Sequence, residues 1–338
     1  MRILEERIRR YELMRWSQEP DRRVLPFSWG IEHIGGSASE AGPRSFLEHF
    51  ADETVARGDE WFASTPAPDY ALDGDDVLTF TSQVESRWPA NNRVHAQLFR
   101  AARRGPAVVV LAQWNAKWHE QQASCRWLNR LGITAIKMSL PYHDRRAIPG
   151  HPRADFLVAP DIGQTLEANR QAILDVRRTV RWLEHEGYTR IGILGTSVGS
   201  CIGFIAMVHD PAVVASAHLH VSTHFGDVVA TGLTTKNVWE SLRAHVTQEE
   251  LRRYWLPISP APYFSKLHGS GKRVLAIAGK YDPTFWPEYT DRFMSAMRSD
   301  GVRFESLSLP CGHYSLGAAP FKYAVGYRFG TFLRRALA

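Results

Sequence analysis

The stretch Gly195-Thr196-Ser197-Val198-Gly199 constrains this chain more than any other. The apolar run Arg190-Ile191-Gly192-Ile193-Leu194 precedes it and reads as a buried strand. Ser200-Cys201-Ile202-Gly203-Phe204-Ile205-Ala206-Met207 follows it and reads as a small-residue helix buried on that strand. Glycines two places before and two places after the serine let the strand turn into the helix within a few residues. A serine at such a turn sits in strained backbone, with its hydroxyl lifted above the sheet edge.

By itself the motif is short enough to arise by chance, as a turn that seats a helix close to a strand. Two further residues raise its meaning. Arg273–Gly279 reads as a strand, and Asp282 lies just past its carboxyl end, where open α/β sheets place a ligand crevice. An aspartate before a proline is also a common turn or N-cap residue. Arg303–Leu309 alternates like a half-buried strand, and His313 lies in the loop after it. The chain order Ser197, Asp282, His313 is that of α/β-hydrolases. From about Asp75 to the C-terminus the sequence resembles that superfamily. The segment Leu140-Pro141-Tyr142-His143-Asp144-Arg145-Arg146 is similar to a loop of dienelactone-hydrolase-like and acyl-peptidase-like esterases.

The resemblance implies an α/β-hydrolase fold. The expected architecture is a mostly parallel eight-stranded sheet with helices on both faces. The strands are expected at Val77–Ser82, Arg93–Phe99, Ala107–Gln113, Ala135–Leu140, Arg190–Gly195, Ala215–Val221, Arg273–Gly279 and Arg303–Leu309. Residues 222–272, between the sixth and seventh of these, exceed a normal connection and are expected to form a cap. Residues 76–338 would be the hydrolase domain and 1–75 a helical extension packed on it. In that extension Ile3, Leu4, Ile8, Tyr11 and Met14 have helical spacing, and Ser45–Phe62 reads as a second helix capped by Ser45. Lys117–Leu131 reads as a helix in the main domain.

The same resemblance assigns roles. Ser197 is the nucleophile, His313 the base and Asp282 the acid, with Asp227 as a rival acid. The amide of Val198, at the start of the helix after the serine, is one oxyanion donor. The other comes from Ala112-Gln113-Trp114-Asn115-Ala116-Lys117, which lacks the family's usual His-Gly pattern. Trp114 is the first candidate there, with Gln113 and Asn115 as alternatives. Gln113, Asn115, His143, Phe225 and Phe285 are expected substrate contacts, although His143 also suits a turn. His218 and His220 share one strand face, but no clustered carboxylate or cysteine completes a metal set, so both read as structural.

Composition excludes little else. With 338 residues, 44% of them hydrophobic, the chain can bury a large core. The formal charge of +6 is spread through arginines on apparent helix faces, such as Arg177, Arg178 and Arg181, which read as a solvated basic surface without a basic run interleaved with aromatics. No nucleic-acid partner is expected. The three cysteines, Cys125, Cys201 and Cys311, suit neither a disulfide framework nor zinc. No signal-like or membrane-spanning apolar stretch is present, so a cytoplasmic enzyme without cofactor or metal is expected. Its partner would be a small-molecule acyl substrate, and a homodimer is compatible with the sequence. The expected reaction is ester cleavage through an acyl-enzyme. The competing readings are a prolyl-oligopeptidase-like peptidase, an acyltransferase and a non-catalytic binding protein.

Overall fold

A computed structural model describes residues 2–37 and 42–338. Three helices precede the sheet: α1 (Arg2–Ser17), α2 (Gly42–Ala56) and α3 (Gly58–Trp61). Strands β1 (Ala71–Leu72), β2 (Val77–Thr81), β3 (Arg93–Phe99) and β4 (Ala107–Leu111) follow, then α4 (Gln122–Arg130) and β5 (Thr134–Met138). Next come α5 (Ile162–His185), β6 (Ile191–Thr196), α6 (Val198–His209) and β7 (Val213–Leu219). Helices α7 (Phe225–Thr231), α8 (Lys236–Leu242) and α9 (Gln248–Tyr254) stand between β7 and β8 (Arg273–Gly279). The chain closes with α10 (Pro287–Ser299), β9 (Phe304–Leu309) and α11 (Phe321–Ala336).

The strand order is β1-β2-β3-β5-β4-β6-β7-β8-β9. The six strands from β5 to β9 along this order are mutually parallel, and β3 joins β5 antiparallel. The fold is the α/β-hydrolase arrangement expected from the sequence, with nine strands among the described residues rather than eight. The added strand, β1, is two exposed residues paired to β2, too short to carry an alternating pattern.

Apolar side chains fill both faces. Ile173, Val176, Phe204 and Phe293 from α5, α6 and α10 pack on one, and Cys125, Leu128, Phe329 and Leu333 from α4 and α11 pack on the other.

Several boundaries shift for local reasons. Strand β4 ends at Leu111, which frees Ala112 and Gln113 for the loop beyond. Strand β7 ends at Leu219, which leaves His220 outside it. Helix α4 begins only at Gln122, because Gln121 takes a positive φ of 63° that a helix cannot continue through. The helix expected over Ser45–Phe62 is two helices. Ser45 lies inside α2 rather than capping it, and Pro43 occupies the first turn, where a missing N–H does no harm.

The extension corrects two further expectations. Ile3, Leu4 and Met14 are exposed, while Ile8 and Glu12, one turn apart, face inward. Arg177 and Arg178 of α5 are buried rather than solvated. The Arg178 guanidinium donates to the carbonyls of Thr65 (3.0 Å) and Thr81 (2.6 Å), and Arg177 reaches Asp210 at 3.2 Å. Arginines buried this way tie the segment ahead of the sheet to the longest helix.

One buried pair holds the loop after β5. Arg146 and Asp175, both fully buried, approach to 2.9 Å. Arg146 also donates to the carbonyls of Asn91 (2.9 Å) and Ser139 (3.1 Å), and Ser82 Oγ donates to Asp175 (2.6 Å). Asp175→Ala strands a buried guanidinium and is expected to lower stability by about 3–5 kcal/mol in urea unfolding. Replacing both partners, as Arg146→Met with Asp175→Leu, should recover most of that loss. Equal losses in the single and double variants would show that the pair does not act as a unit.

Candidate active site

Strand β6 enters the turn at Gly195 and leaves it as α6. Ser197 sits between them at φ 57° and ψ −121°. The turn is this tight because backbone meets backbone on both sides. A Cβ on Gly195 would lie 2.4 Å from the Gly199 carbonyl oxygen, and one on Gly199 would lie 2.7 Å from those of Leu111 and Ala112. The strain is held by hydrogen bonds. Ser197 N donates to the Leu219 carbonyl at 2.8 Å, and Ser200 Oγ donates to the carbonyls of Leu219 (2.8 Å) and Gly195 (2.9 Å). Among the described residues no hydrogen bond joins the Ser197 hydroxyl to an imidazole, so it can turn toward a ligand.

Asp282 and His313 are brought together by the parallel ends of β8 and β9. Lys280 N donates to the Leu309 carbonyl (2.8 Å) and Tyr281 N to that of Cys311 (2.9 Å). Asp282 then does two things at once. Its Oδ1 accepts from the amides of Thr284 (2.7 Å) and Phe285 (2.9 Å), the turn role open to an aspartate before proline. Its Oδ2 lies 3.1 Å from His313 Nδ1. Burial would raise the Asp282 pKa, but the two imidazoles beside it, His313 and His220, hold it far below the carboxylate range. Burial likewise pulls His313 down. The charge and hydrogen bond of Asp282, with Glu12 and Glu19 behind them, reverse this and leave His313 above its usual value. With Nδ1 engaged by Asp282, Nε2 is the nitrogen left for proton transfer.

His220 is the group that sequence reading missed. It lies just past β7 at φ 64°, fully enclosed, with Nδ1 2.7 Å from the same Asp282 Oδ2. That approach is oblique and falls short of an aligned hydrogen bond. Its ring lies 4.2 Å from that of His313, and Phe285 stacks on His313 from another side at 5.6 Å. Burial first, and then the charge of His313, lower the His220 pKa and keep it neutral. Nothing in the sequence signals it, because the expected strand continues through it to Val221, whereas β7 ends at Leu219. His218, two residues earlier, is structural: it is buried, its pKa is pushed down to about 3, and Nε2 pairs with Ser216 Oγ at 2.8 Å.

The rival acid, Asp227, is engaged elsewhere. Its carboxylate accepts from Gln248 (2.9 Å) and Arg252 (2.9 Å), which tie α7 to α9.

The loop after β4 shows how the missing glycine is replaced. Asn115 takes φ 62°, a conformation that asparagine tolerates better than most residues. Its amide donates to His143 Nε2 at 2.9 Å, and Ala154 N donates to its Oδ1 at 2.8 Å. Burial pushes the His143 pKa down to about 4, so the ring is neutral. Its Nδ1 lies 2.8 Å from the Pro141 carbonyl, which places the proton there and leaves Nε2 to accept from Asn115. His143 and Asn115 thus pin the loop beside a small polar cavity rather than line the main pocket. Gln113 is also turned aside and binds Glu120 and Gln121.

The main pocket is apolar, with about 610 Å³ of empty space including its mouth. Ser197, Val198, Trp114, His220, Phe225 and Phe285 all line it. Among the described residues the backbone amides of Trp114 and Val198 donate to no protein group. The Trp114 indole donates to the Ala154 carbonyl at 2.8 Å, and the Arg153 guanidinium lies over its ring at 5.1 Å, so the residue is fixed from both ends. The described residues also include one cluster with metal-ligand atoms, His220, Asp282 and His313, and it is this site itself.

Several known proteins are similar to this chain. The model of the prolyl oligopeptidase family matches residues 165–329. No curated protein matches the chain in sequence. Among solved structures, acylaminoacyl peptidase from Pyrococcus horikoshii is similar at 14% identity and a TM-score of 0.58, over 79% of this chain and 42% of that one. The chain therefore spans about two fifths of that peptidase. Acetyl xylan esterase 1 from Thermoanaerobacterium sp. JW/SL YS485 is similar at 15% identity and a TM-score of 0.58, over 84% of this chain and 93% of that one. An esterase from Pyrococcus furiosus is similar at 14% identity and a TM-score of 0.56, over 82% and 96%. These likenesses show the α/β-hydrolase fold. Among the described residues no helix is long and apolar enough to cross a membrane.

The shared carboxylate has a measurable consequence. The His313 ring is expected to titrate above about 6.5, the value of a free imidazole. Asp282→Asn removes the charge that opposes burial and should bring the midpoint below it. His220→Phe leaves the carboxylate to His313 alone and should raise it. Ring-nitrogen NMR reads both, and shifts of the same sign in the two variants would overturn this account.

Proposed function

We propose that the protein hydrolyses carboxylic esters with an apolar acyl group, through an acyl-enzyme on Ser197. The observation that carries this is the meeting, in one apolar pocket, of a strained serine and two unengaged backbone amides, those of Val198 and Trp114. Ser197 Oγ attacks the carbonyl as His313 Nε2 takes its proton. Asp282 fixes the imidazole tautomer and stabilises the imidazolium. The two amides receive the oxyanion, aided by the positive end of α6. Collapse expels the alcohol, which takes the proton from His313. Water then repeats the sequence and releases the acid.

Ester specificity is supported by the lining. Among the described residues no Asp, Glu, Lys or Arg lines the pocket, so none of them waits there for the amino or carboxyl group of a peptide. Phe225, Phe285, Val228 and Val229 instead suit a hydrocarbon acyl chain. The esterases among the structural neighbours fit this reading. The prolyl oligopeptidase match keeps peptide cleavage as the second reading.

A fluorophosphonate probe tests the nucleophile without the natural substrate. Wild type should label, while Ser197→Ala should not. Against p-nitrophenyl butyrate, Ser197→Ala and His313→Ala should each lose at least about 10⁴-fold in kcat. An aminoacyl p-nitroanilide turned over faster than the ester would favour the peptidase. Labelling that persists in Ser197→Ala would remove the assignment.

A further inference from the structure

Glu12 lies in a helix outside the sheet, 301 residues before the base, yet it is fully buried beneath the base-bearing loop. Its Oε2 accepts from Tyr314 N at 2.8 Å. Its Oε1 accepts from Ser315 N (2.9 Å) and Ser315 Oγ (2.7 Å). Ser315 Oγ in turn accepts from Gly312 N at 2.7 Å. One carboxylate therefore grips the loop after His313 directly and before it through Ser315. The approach leaves no room for a side chain, because a Cβ on Gly312 would lie 2.5 Å from Glu12 Cδ.

The grip continues along the chain. Tyr314 Oη donates to Glu19 Oε1 at 2.5 Å, and Arg22 pairs with Glu19 at 2.6 Å. Arg22 also donates to the Thr234 carbonyl at 2.8 Å, and Asn237 donates to the Arg23 carbonyl at 2.9 Å. Thr234 lines the same pocket as Ser197. Residues 12–23 thus run as a strap from the base loop to the helices that cover the pocket.

We propose that Glu12 is a positioning residue for His313, and that the strap it begins holds base and pocket cover in one register. A buried carboxylate with three donors is a rigid anchor, whereas a loop held by water would let the imidazole wander. A displacement of about 1 Å at a catalytic group can cost about 10²-fold in rate. This inference rests on the serine hydrolase reading above.

The charged and titratable groups around His313 come from several elements. Asp282 follows β8, His220 follows β7, Cys311 shares its loop, and Glu12, Arg15, Glu19 and Arg22 belong to the strap and its helix. Glu12 differs from the others in being both bonded to the loop and buried. Loss of its charge lowers the His313 pKa, because the carboxylate favours the imidazolium.

The experiment compares wild type, Ser197→Ala, Glu12→Ala, Glu12→Gln and Ser315→Ala by fluorophosphonate labelling rate, ester kinetics and thermal unfolding. Glu12→Ala should label about 30- to 100-fold more slowly at a temperature where it is fully folded, with KM changed less than about threefold. Glu12→Gln keeps the shape and should fall between, with the acid limb of kcat/KM moved to lower pH. Ser315→Ala removes the bridge to Gly312 and should slow labelling about fivefold, which keeps the idea testable if Glu12→Ala does not fold. Wild-type labelling rates in folded Glu12→Gln and Ser315→Ala, with only a lower melting temperature, would make Glu12 a structural cap and overturn the proposal. Absence of labelling in wild type, or its persistence in Ser197→Ala, would instead defeat the hydrolase reading.

Discussion

Everything at the site depends on where one buried carboxylate is held. Asp282 has no solvent to stabilise its charge, so the protein supplies donors to each oxygen. Two backbone amides fix Oδ1, and two imidazoles face Oδ2. The amides come from the turn that Asp282 itself makes, so they orient the side chain independently of either histidine. Parallel pairing of β8 with β9 then delivers His313, and the end of β7 delivers His220. Three adjacent strand ends thus converge on a group that none could hold alone. A carboxylate placed this way cannot rotate to follow a mobile imidazole, so His313 must be held as firmly.

The loop after β4 solves a different problem with comparable means. A glycine would reach positive φ freely and leave the loop mobile. Asn115 reaches it at some cost, but its side chain accepts a bond from Ala154 N that glycine could not, beside the bond its backbone amide makes to His143. The tautomer of His143 is set by the Pro141 carbonyl, so the loop's position is traceable to a backbone oxygen after β5. The buried Arg146–Asp175 pair fixes that same stretch against α5. The donors facing the pocket are therefore preorganised by a chain of buried polar contacts rather than by glycine geometry.

Much of the fold was legible in the sequence because it is encoded locally. β3 and β8 begin and end where apolar patterning and turn residues place them. The placement of Ser197, Asp282 and His313 past strand ends was legible for a related reason: each of those strands announces itself. What sequence reading missed depends on partners far away in the chain. His220 looked structural because its neighbour His218 is, and periodicity does not reveal that the strand stops between them. Glu12 was invisible because an isolated helix would turn its apolar residues inward. Here Ile3, Leu4 and Met14 face out, and an acid takes the buried position to satisfy the amides of Tyr314 and Ser315. The need of those two amides outweighs the hydrophobic stripe of the helix.

This exchange of apolar contact for a carboxylate explains why the segment ahead of the sheet is shaped as it is. Arg177 and Arg178 of α5 spend their hydrogen bonds on the backbone and acids near that segment's end, while Glu12 spends its own on the loop of His313. The segment is therefore pinned at both ends by buried charges, one set on the central helix and one at the base. Between these pins, Glu19 and Arg22 touch Tyr314 on one side and the pocket cover on the other. Buried ionic contacts are sensitive to misalignment, because a partner displaced by a fraction of its hydrogen-bond length leaves a charge unsolvated. Their presence at these points makes the geometry around His313 a property of the whole chain, including residues the hydrolase sheet itself does not require.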